Sequence, residues 1–94
     1  MKDPNRETVS ELELLPNIGK AIGSDLRLIG INKPKDIIGK DPFELYDMLC
    51  IKKGKHIDYC VLDVFMSVVD FMEGGEAQPW WNFTYERKQV LKDR

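Results

Sequence analysis

Length, composition and charge limit what this chain can be. Its 94 residues are enough for one domain with one core, and a hydrophobic fraction of 43% argues against a disordered chain. A formal net charge of −2 counts against a strongly basic nucleic-acid binder, although local basic clusters are present. The sequence contains no run of about 18 apolar residues that would span a membrane, and no secretory signal. We therefore expect a single cytoplasmic domain over residues 1–94, with frayed ends at 1–7 and 88–94 and no membrane partner.

Hydrophobic spacing in the N-terminal part predicts short helices separated by a tight turn. An apolar residue recurs at every third position over Thr8–Leu15, which predicts a helix that ends before Pro16. A second helix is expected from Gly19 to about Ile29. Gly30 then stands where a glycine commonly ends a helix.

The rest of the chain predicts further helices and an aromatic tail. Residues 32–39 are expected to form a short helical turn with Ile37 and Ile38 pointing inward. Asp41 is followed by proline and can cap the next helix, and the longest helix is expected over Asp58–Glu73. No segment shows the alternation of a β-strand. The predicted fold class is therefore all-α, with about five short helices.

The turn before the second helix carries the main functional signal, and it reads Leu15-Pro16-Asn17-Ile18-Gly19-Lys20. The first N–H groups of a helix and the positive end of its dipole form an anion site that suits a phosphate. Gly19 would let the backbone approach the anion closely, while Lys20 would add a positive charge. Ile18 would plug the turn into the core.

This segment closely resembles the helix-hairpin-helix family, through the pattern Leu12-x-x-Leu15-Pro16-Asn17-Ile18-Gly19-x-x-x-Gly23-x-x-Leu26. The family usually has glycine where Asn17 stands, and asparagine tolerates left-handed backbone geometry better than most residues. Gly23 takes the small-residue position where the two helices cross. The resemblance implies a SAM/HhH-like domain that contacts backbone phosphate at the turn.

A longer set of segments extends the resemblance over most of the chain, from Glu11 to Phe83. In order, the segments are Leu15-Pro16-Asn17-Ile18-Gly19, Asp25-Leu26-Arg27, Gly30-Ile31, Asp41-Pro42 with Leu45-Tyr46, Cys60-Val61-Leu62-Asp63-Val64-Phe65 and Pro79-Trp80-Trp81. Together they resemble the bacterial pathogenicity-locus helix-hairpin-helix family, some members of which are labelled mitomycin-resistance proteins. The resemblance implies a small domain of DNA-binding type with no known catalytic activity.

Basic residues complete the predicted interface. A cluster of lysines surrounds Gly54, where a paired domain would have a second, degenerate hairpin; a plain basic surface loop is an equal alternative. Lys33 and Lys35 would add further charge. The predicted nucleic-acid-binding residues are Asn17, Ile18, Gly19, Lys20, Arg27, Lys52, Lys53 and Lys55.

Other chemistry-bearing residues favour structural interpretations. Cys50, His56 and Cys60 are weak metal candidates, because a structural zinc site normally has four ligands with paired cysteine spacing. We expect reduced thiols and no metal or other cofactor. Asp63 and Asp70 share one face of the longest helix, and we interpret them as its solvated stripe rather than an acid–base pair.

The two tryptophans and the overall function each allow two interpretations. Trp80 and Trp81 could stack on bases, but a clamp that closes the core, with one ring partly exposed, is favoured. We expect a non-catalytic domain that binds duplex DNA weakly and without sequence preference, in a DNA-repair, stress or resistance role. The alternative is a protein-interaction or adaptor module built on the same helical hairpin.

Overall fold

The computed structural model describes residues 5–93, and every regular element in that range is helical. The expected all-α class is therefore confirmed. The α-helices within this range are α1 (Lys20–Leu28), α2 (Pro42–Lys53), α3 (Tyr59–Met72) and α4 (Thr84–Lys92). Short 3₁₀ helices lie between or before them, at Leu12–Leu14, Pro34–Ile37 and Trp80–Phe83.

The centre of the fold is α3, the longest helix. It begins after Asp58 and ends before Glu73, as predicted. All residues from 62 to 69 are buried, because α2, α4 and the second and third 3₁₀ helices pack around this helix. Phe65 and Phe71 are among the largest fully buried side chains. These four elements are thus positioned by their contact with α3, whereas α1 packs mainly against α2 and the first 3₁₀ helix.

The predicted helix over Thr8–Leu15 is wrong in form, because the chain makes only the 3₁₀ turn Leu12–Leu14 there. The backbone of Glu11 is extended before the turn. Leu15 is extended after it, as expected of a residue before Pro16. Too few residues then remain for a stable α-helix. The apolar residues of the segment are nevertheless buried, namely Val9, Leu12 and Leu15.

The end of α1 confirms the predicted glycine stop. Gly30 has a φ of 92° and donates its N–H to the carbonyl of Arg27 at 3.1 Å. Ile31 is buried and donates to the carbonyl of Leu26 at 2.9 Å. This pair of hydrogen bonds is a Schellman motif, which satisfies carbonyl groups at the helix end.

The connection from α1 to α2 agrees with the prediction except at one residue. Ile37 is buried, but Ile38 is 52% exposed, so its predicted inward position is wrong. The 3₁₀ helix ends at Ile37, and the backbone of Ile38 is extended. The side chain of Ile38 therefore points away from the core. Asp41 caps α2, where its Oδ1 accepts the N–H of Phe43 at 2.8 Å.

The C-terminal tail packs back onto the other helices, as expected, but most of it forms a helix that the sequence did not predict. Thr84 and Arg87 of α4 both donate to the carboxylate of Asp63 on α3. Asp63 is fully buried, so its predicted place in a solvated stripe is wrong. Burial is tolerated because the charge is paired and hydrogen-bonded.

Residues 1–4 and 94, part of the expected frayed ends, lie outside the described residues. Near the start, Arg6 donates to the carbonyls of Phe71 at 2.7 Å and Gly75 at 2.6 Å. Among the helices of residues 5–93, none has the length and apolar character required to cross a bilayer.

Candidate nucleic-acid interface

The turn that leads into α1 is held in place by Asn17. This residue has a φ of 69°, the left-handed geometry expected at its position. Its side-chain Nδ2 donates to Ser67 Oγ on α3 at 3.1 Å and to the Gln78 carbonyl at 2.7 Å. The amide is therefore directed toward the protein. Asn17, predicted as a nucleic-acid contact, uses its amide nitrogen to position the turn.

Ile18 also serves the interior of the protein. Its side chain is fully buried, which confirms the expected plug into the core. Its N–H donates to the carbonyl of Leu15 at 3.3 Å, inside the turn. Because that hydrogen is already used, the backbone of Ile18 is poorly placed to bind a phosphate.

The start of α1 is open to solvent. Gly19 is the exposed N-cap residue, and no side chain of the described residues caps the helix. Within the same part of the chain, a Cβ built at Gly19 would meet nothing within 4 Å. The first intrahelical bond joins Gly23 N–H to the Gly19 carbonyl at 2.9 Å, so the N–H groups of residues 20–22 precede the hydrogen-bond ladder. With the exposed Lys20 beside them, these groups can receive an oxyanion.

The turn around Gly54, predicted as a degenerate second hairpin, leads into a helix that a side chain already caps. α2 continues through Lys53 and ends at Gly54, which has a φ of 68°. Asp58 then caps α3, where its Oδ1 accepts the N–H of Cys60 at 2.9 Å. That backbone hydrogen bond lowers the pKa of the Asp58 carboxyl. An ionised carboxylate therefore occupies the place that a phosphate would take.

Two of the predicted cations are paired with acidic residues. The two terminal nitrogens of Arg27 each donate to a carboxylate oxygen of Glu13 at 2.7 Å. The Nζ of Lys53 lies 2.8 Å from an Asp25 carboxylate oxygen. Among the basic residues that the sequence singled out, those exposed and without a salt bridge in the described part of the chain are Lys20, Lys52 and Lys55, together with Lys33 and Lys35. The positive field around the turn is thus weaker than the residue types indicate.

Glu13 also explains the small residue at Gly23. A Cβ on Gly23 would collide with the Glu13 carboxylate, which lies over this position of α1. The glycine therefore makes room for the residue that pairs with Arg27, and the close approach involves a side chain rather than a second helix backbone.

The cysteine and histidine candidates do not converge. In residues 5–93, no group of three or more His, Cys, Asp or Glu side chains is arranged to hold a metal ion. Both cysteines are free thiols, and burial raises the pKa of Cys60, which favours the protonated form. His56 packs edge-on against the Tyr59 ring, with centroids 4.9 Å apart.

Comparison with known proteins identifies the family. Residues 5–89 match the family model described as "Pathogenicity locus". The chain belongs to that family. It is also 40% identical over 82 residues to the Mitomycin resistance protein McrB of Streptomyces lavendulae. The aligned residues cover 87% of this chain and 78% of that protein. No solved structure matches the chain. The pathogenicity-locus resemblance seen in the motifs is thereby confirmed.

The exposed side of α4 in this pathogenicity-locus protein is what sequence reasoning missed. Trp80 packs against the core while Trp81 is 61% exposed, which confirms the clamp with one exposed ring. Tyr85 is 75% exposed, and Lys88 and Lys92 follow it at helical spacing. That three-and-four spacing was the available signal for a helix in this part of the tail.

Proposed function

We propose that this pathogenicity-locus protein is a non-catalytic DNA-binding domain that docks a backbone phosphate at the open N-terminus of α1. One observation carries the proposal. α2 and α3 each begin with an aspartate cap, whereas α1 begins at the exposed Gly19 with no side-chain cap in the described chain. A helix start that lacks an acidic cap keeps both its N–H donors and its dipole available to an anion.

The contact is weak and depends on backbone phosphate rather than base sequence. The N–H groups after Gly19 receive the phosphate oxygens, and Lys20 adds a charge beside them. Lys52 and Lys55 contribute more distant attraction, whereas Arg27 and Lys53 contribute less because they are paired with acids. In this proposal the turn acts as a helix-hairpin-helix whose first arm is shortened to a 3₁₀ turn.

The biological setting is proposed by analogy with the relative. The name of the Streptomyces lavendulae protein states a role in mitomycin resistance. We extend a resistance or DNA-repair role to this chain, with DNA binding as the molecular activity and without a cofactor.

A salt-dependent titration tests the proposal. A labelled duplex is titrated with the protein, starting at low ionic strength, and contact with two to four phosphates is expected to yield a log–log salt slope of about −2 to −4. Gly19→Glu is expected to weaken binding by about tenfold or more, because its carboxylate would repel the phosphate.

Gly19→Gln is the matched control. Glutamine has nearly the size of glutamate but no charge, and the extended φ of −105° together with the open space at residue 19 admits either side chain. The Gln variant is expected to bind more tightly than the Glu variant. Equal binding by the two variants, both folded by circular dichroism, would contradict phosphate docking at this helix.

A protein-interaction module is the second candidate, favoured by exposed apolar residues away from the turn. Ile38 is 52% exposed, Met48 44% and Ile51 79%. Ile38 and Met48 also line an open groove of about 470 Å³ at the side of α2. If wild-type protein fails to bind DNA even at low salt, this surface becomes the leading candidate. Loss of self-association or partner binding in Met48→Lys would then support it.

A further inference from the structure

The rotation of α4 about its own axis is set by three residues that face the interior of the protein. Thr84 Oγ1 donates to Asp63 at 2.7 Å, and Arg87 donates to the same carboxylate at 2.9 Å and 3.2 Å. Leu91 packs against the core. Residues 84, 87 and 91 have three-and-four spacing, so they form one face of the helix. This face is docked firmly, because the Asp63 carboxylate is fully buried and the Arg87 side chain is only 12% exposed.

A second face of α4 is presented to solvent by the same docking. Tyr85, Lys88 and Lys92 each follow a docked residue by one position, which rotates them by about 100° around the helix axis. All three are exposed, and Tyr85 is 75% exposed. Because the docked face is held by a buried ion pair, the direction of this second face is fixed as well.

Trp81 lies just before α4, next to the N-terminal end of that face. It belongs to the 3₁₀ helix that runs directly into α4, four residues before Tyr85, and it is 61% exposed. Its ring meets Trp80 edge-on, with centroids 5.5 Å apart and planes at 83°. Trp80 packs against the core, so the exposed ring rests on a fixed neighbour. The resulting surface, here named the α4 stripe, consists of Trp81, Tyr85, Lys88 and Lys92.

The composition of the α4 stripe matches one class of ligand. The aromatic rings of Trp81 and Tyr85 are exposed to solvent. The ammonium groups of Lys88 and Lys92 follow Tyr85 by about one and two helical turns. Aromatic rings stack on unpaired bases and lysines attract the phosphates between them, which is how proteins hold single strands. In an intact duplex the bases are paired and stacked, so their faces are not available to such rings. We propose that the α4 stripe binds an unpaired, single-stranded segment of DNA.

The α4 stripe is connected to the phosphate site proposed above. Asn17 lies two residues before Gly19, and its amide donates to the carbonyl of Gln78 at 2.7 Å. Gln78 in turn lies three residues before Trp81. This hydrogen bond joins the turn before α1 to the segment that precedes the α4 stripe. The duplex part of this inference rests on the proposed function. The substrate class is then DNA with unpaired bases beside a duplex, such as an overhang or a gap.

The test compares three labelled DNAs of the same sequence: a duplex, a single strand, and a duplex with a single-stranded overhang. Trp81→Ala is expected to lower the affinity for the single strand and the overhang by about tenfold, since one stacked base is lost. Its affinity for the plain duplex should stay unchanged. Ile51→Ala is the matched control, because it removes another exposed apolar side chain, 79% exposed on α2, and should change none of the affinities.

Fluorescence gives a second readout that does not depend on the affinity variants. The chain has two tryptophans, so Trp80→Phe leaves Trp81 as the sole indole. Addition of an unlabelled single strand is expected to quench its emission, because a stacked base contacts the ring. The plain duplex is expected to leave the emission nearly unchanged.

The outcomes separate this inference from the proposed function. Single-strand binding that Trp81→Ala reduces supports the α4 stripe, even where the duplex is not bound and the α1 site fails. Duplex binding that Gly19→Glu abolishes, with equal single-strand affinity of wild type and Trp81→Ala, overturns the α4 stripe alone. Absence of wild-type binding to any single strand also overturns it and leaves a protein partner as the occupant of this surface.

Discussion

The turns that lead into α1 and into α3 offer opposite charges to a ligand. The turn at Asn17 opens into α1 at Gly19, where the described chain provides no side-chain cap. The turn after Gly54 enters α3 at Asp58, whose carboxylate accepts a backbone N–H at 2.9 Å. The second turn has more lysines nearby, but its helix start is already filled. Nearby positive charge and an available anion site are therefore separate properties, and a lysine cluster alone is poor evidence of a phosphate site.

The variant with the largest expected effect loosens α3, because both turns depend on the position of that helix. Ser67 of α3 accepts the Asn17 amide, and α3 itself is braced by α4 through Asp63. Asp63→Ala would leave the Arg87 guanidinium mostly buried and without its carboxylate. We expect a loss of about 3–5 kcal/mol in the free energy of unfolding, measured by urea titration. A loss that large would bring a domain of this size close to unfolding.

A double variant checks whether the buried charge is the cause. In Asp63→Leu with Arg87→Leu, neither charge remains buried, so much of the stability is expected to return. If the single variant Asp63→Ala lost less than about 1 kcal/mol, the ion pair would not be what fixes α4.

Asn17→Ala breaks the first turn without touching the second. Alanine would have to adopt the φ of 69° at a cost of about 1–2 kcal/mol, and the hydrogen bonds to Ser67 and Gln78 would be lost. We expect the free energy of unfolding, measured again by urea titration, to fall by about 2 kcal/mol.

Asn17→Gly separates the two causes. Glycine adopts the left-handed geometry freely, so only the hydrogen bonds are lost, at about 1 kcal/mol. Equal destabilisation by alanine and glycine would show that backbone geometry at residue 17 contributes little, and would assign the role of Asn17 to its amide alone.

Asp58→Ala sharpens the comparison from the other side, because it opens the start of α3. Loss of the cap is expected to lower the melting temperature by about 5 °C at pH 7. Hydrogen bonding to the Cys60 N–H lowers the pKa of Asp58, so its carboxylate stabilises the fold above the ordinary value of 3.8. That contribution is lost as the pH falls through the lowered pKa. The difference from wild type should therefore narrow below pH 3.8.

The matched control is Asp41→Ala, which removes the cap of α2 and the same charge. Both variants are expected to have a lower melting temperature than wild type, measured by circular dichroism. Only Asp58→Ala opens a helix start beside the Lys52–Lys55 cluster, so we expect a roughly two- to threefold gain in duplex affinity for that variant alone. An equal gain in both variants would attribute the effect to net charge rather than to the helix start.

Sequence reasoning succeeded where the deciding neighbours are close along the chain. Gly30 ends α1 because its N–H and that of Ile31 reach carbonyls only a few residues back. Asp41 caps α2 through an N–H two residues ahead. The left-handed φ of Asn17 is equally local. Each of these features follows from short-range geometry that a residue type reveals directly.

Prediction failed where residues distant in the chain decide the outcome. Asp63 occurs at helical spacing with Asp70, a pattern typical of a solvated face, and only its pairing with Arg87 in α4 makes burial tolerable. Likewise, Arg27 is paired with the carboxylate of Glu13, which lies 14 residues earlier in the chain, so its charge is partly compensated. Neither pairing has a signature in sequence spacing.

The sequence by itself determined the helical class, the bounds of α1 and α3, the start of α2 and the open glycine at the start of α1, because these depend on capping, proline and hydrophobic period within a few residues. Only the tertiary structure decided which charges remain available and which face of α4 meets the solvent. Those outcomes depend on which side chains meet across the core, and burial around α3 makes the pairing of a charge there matter far more than it does at the surface.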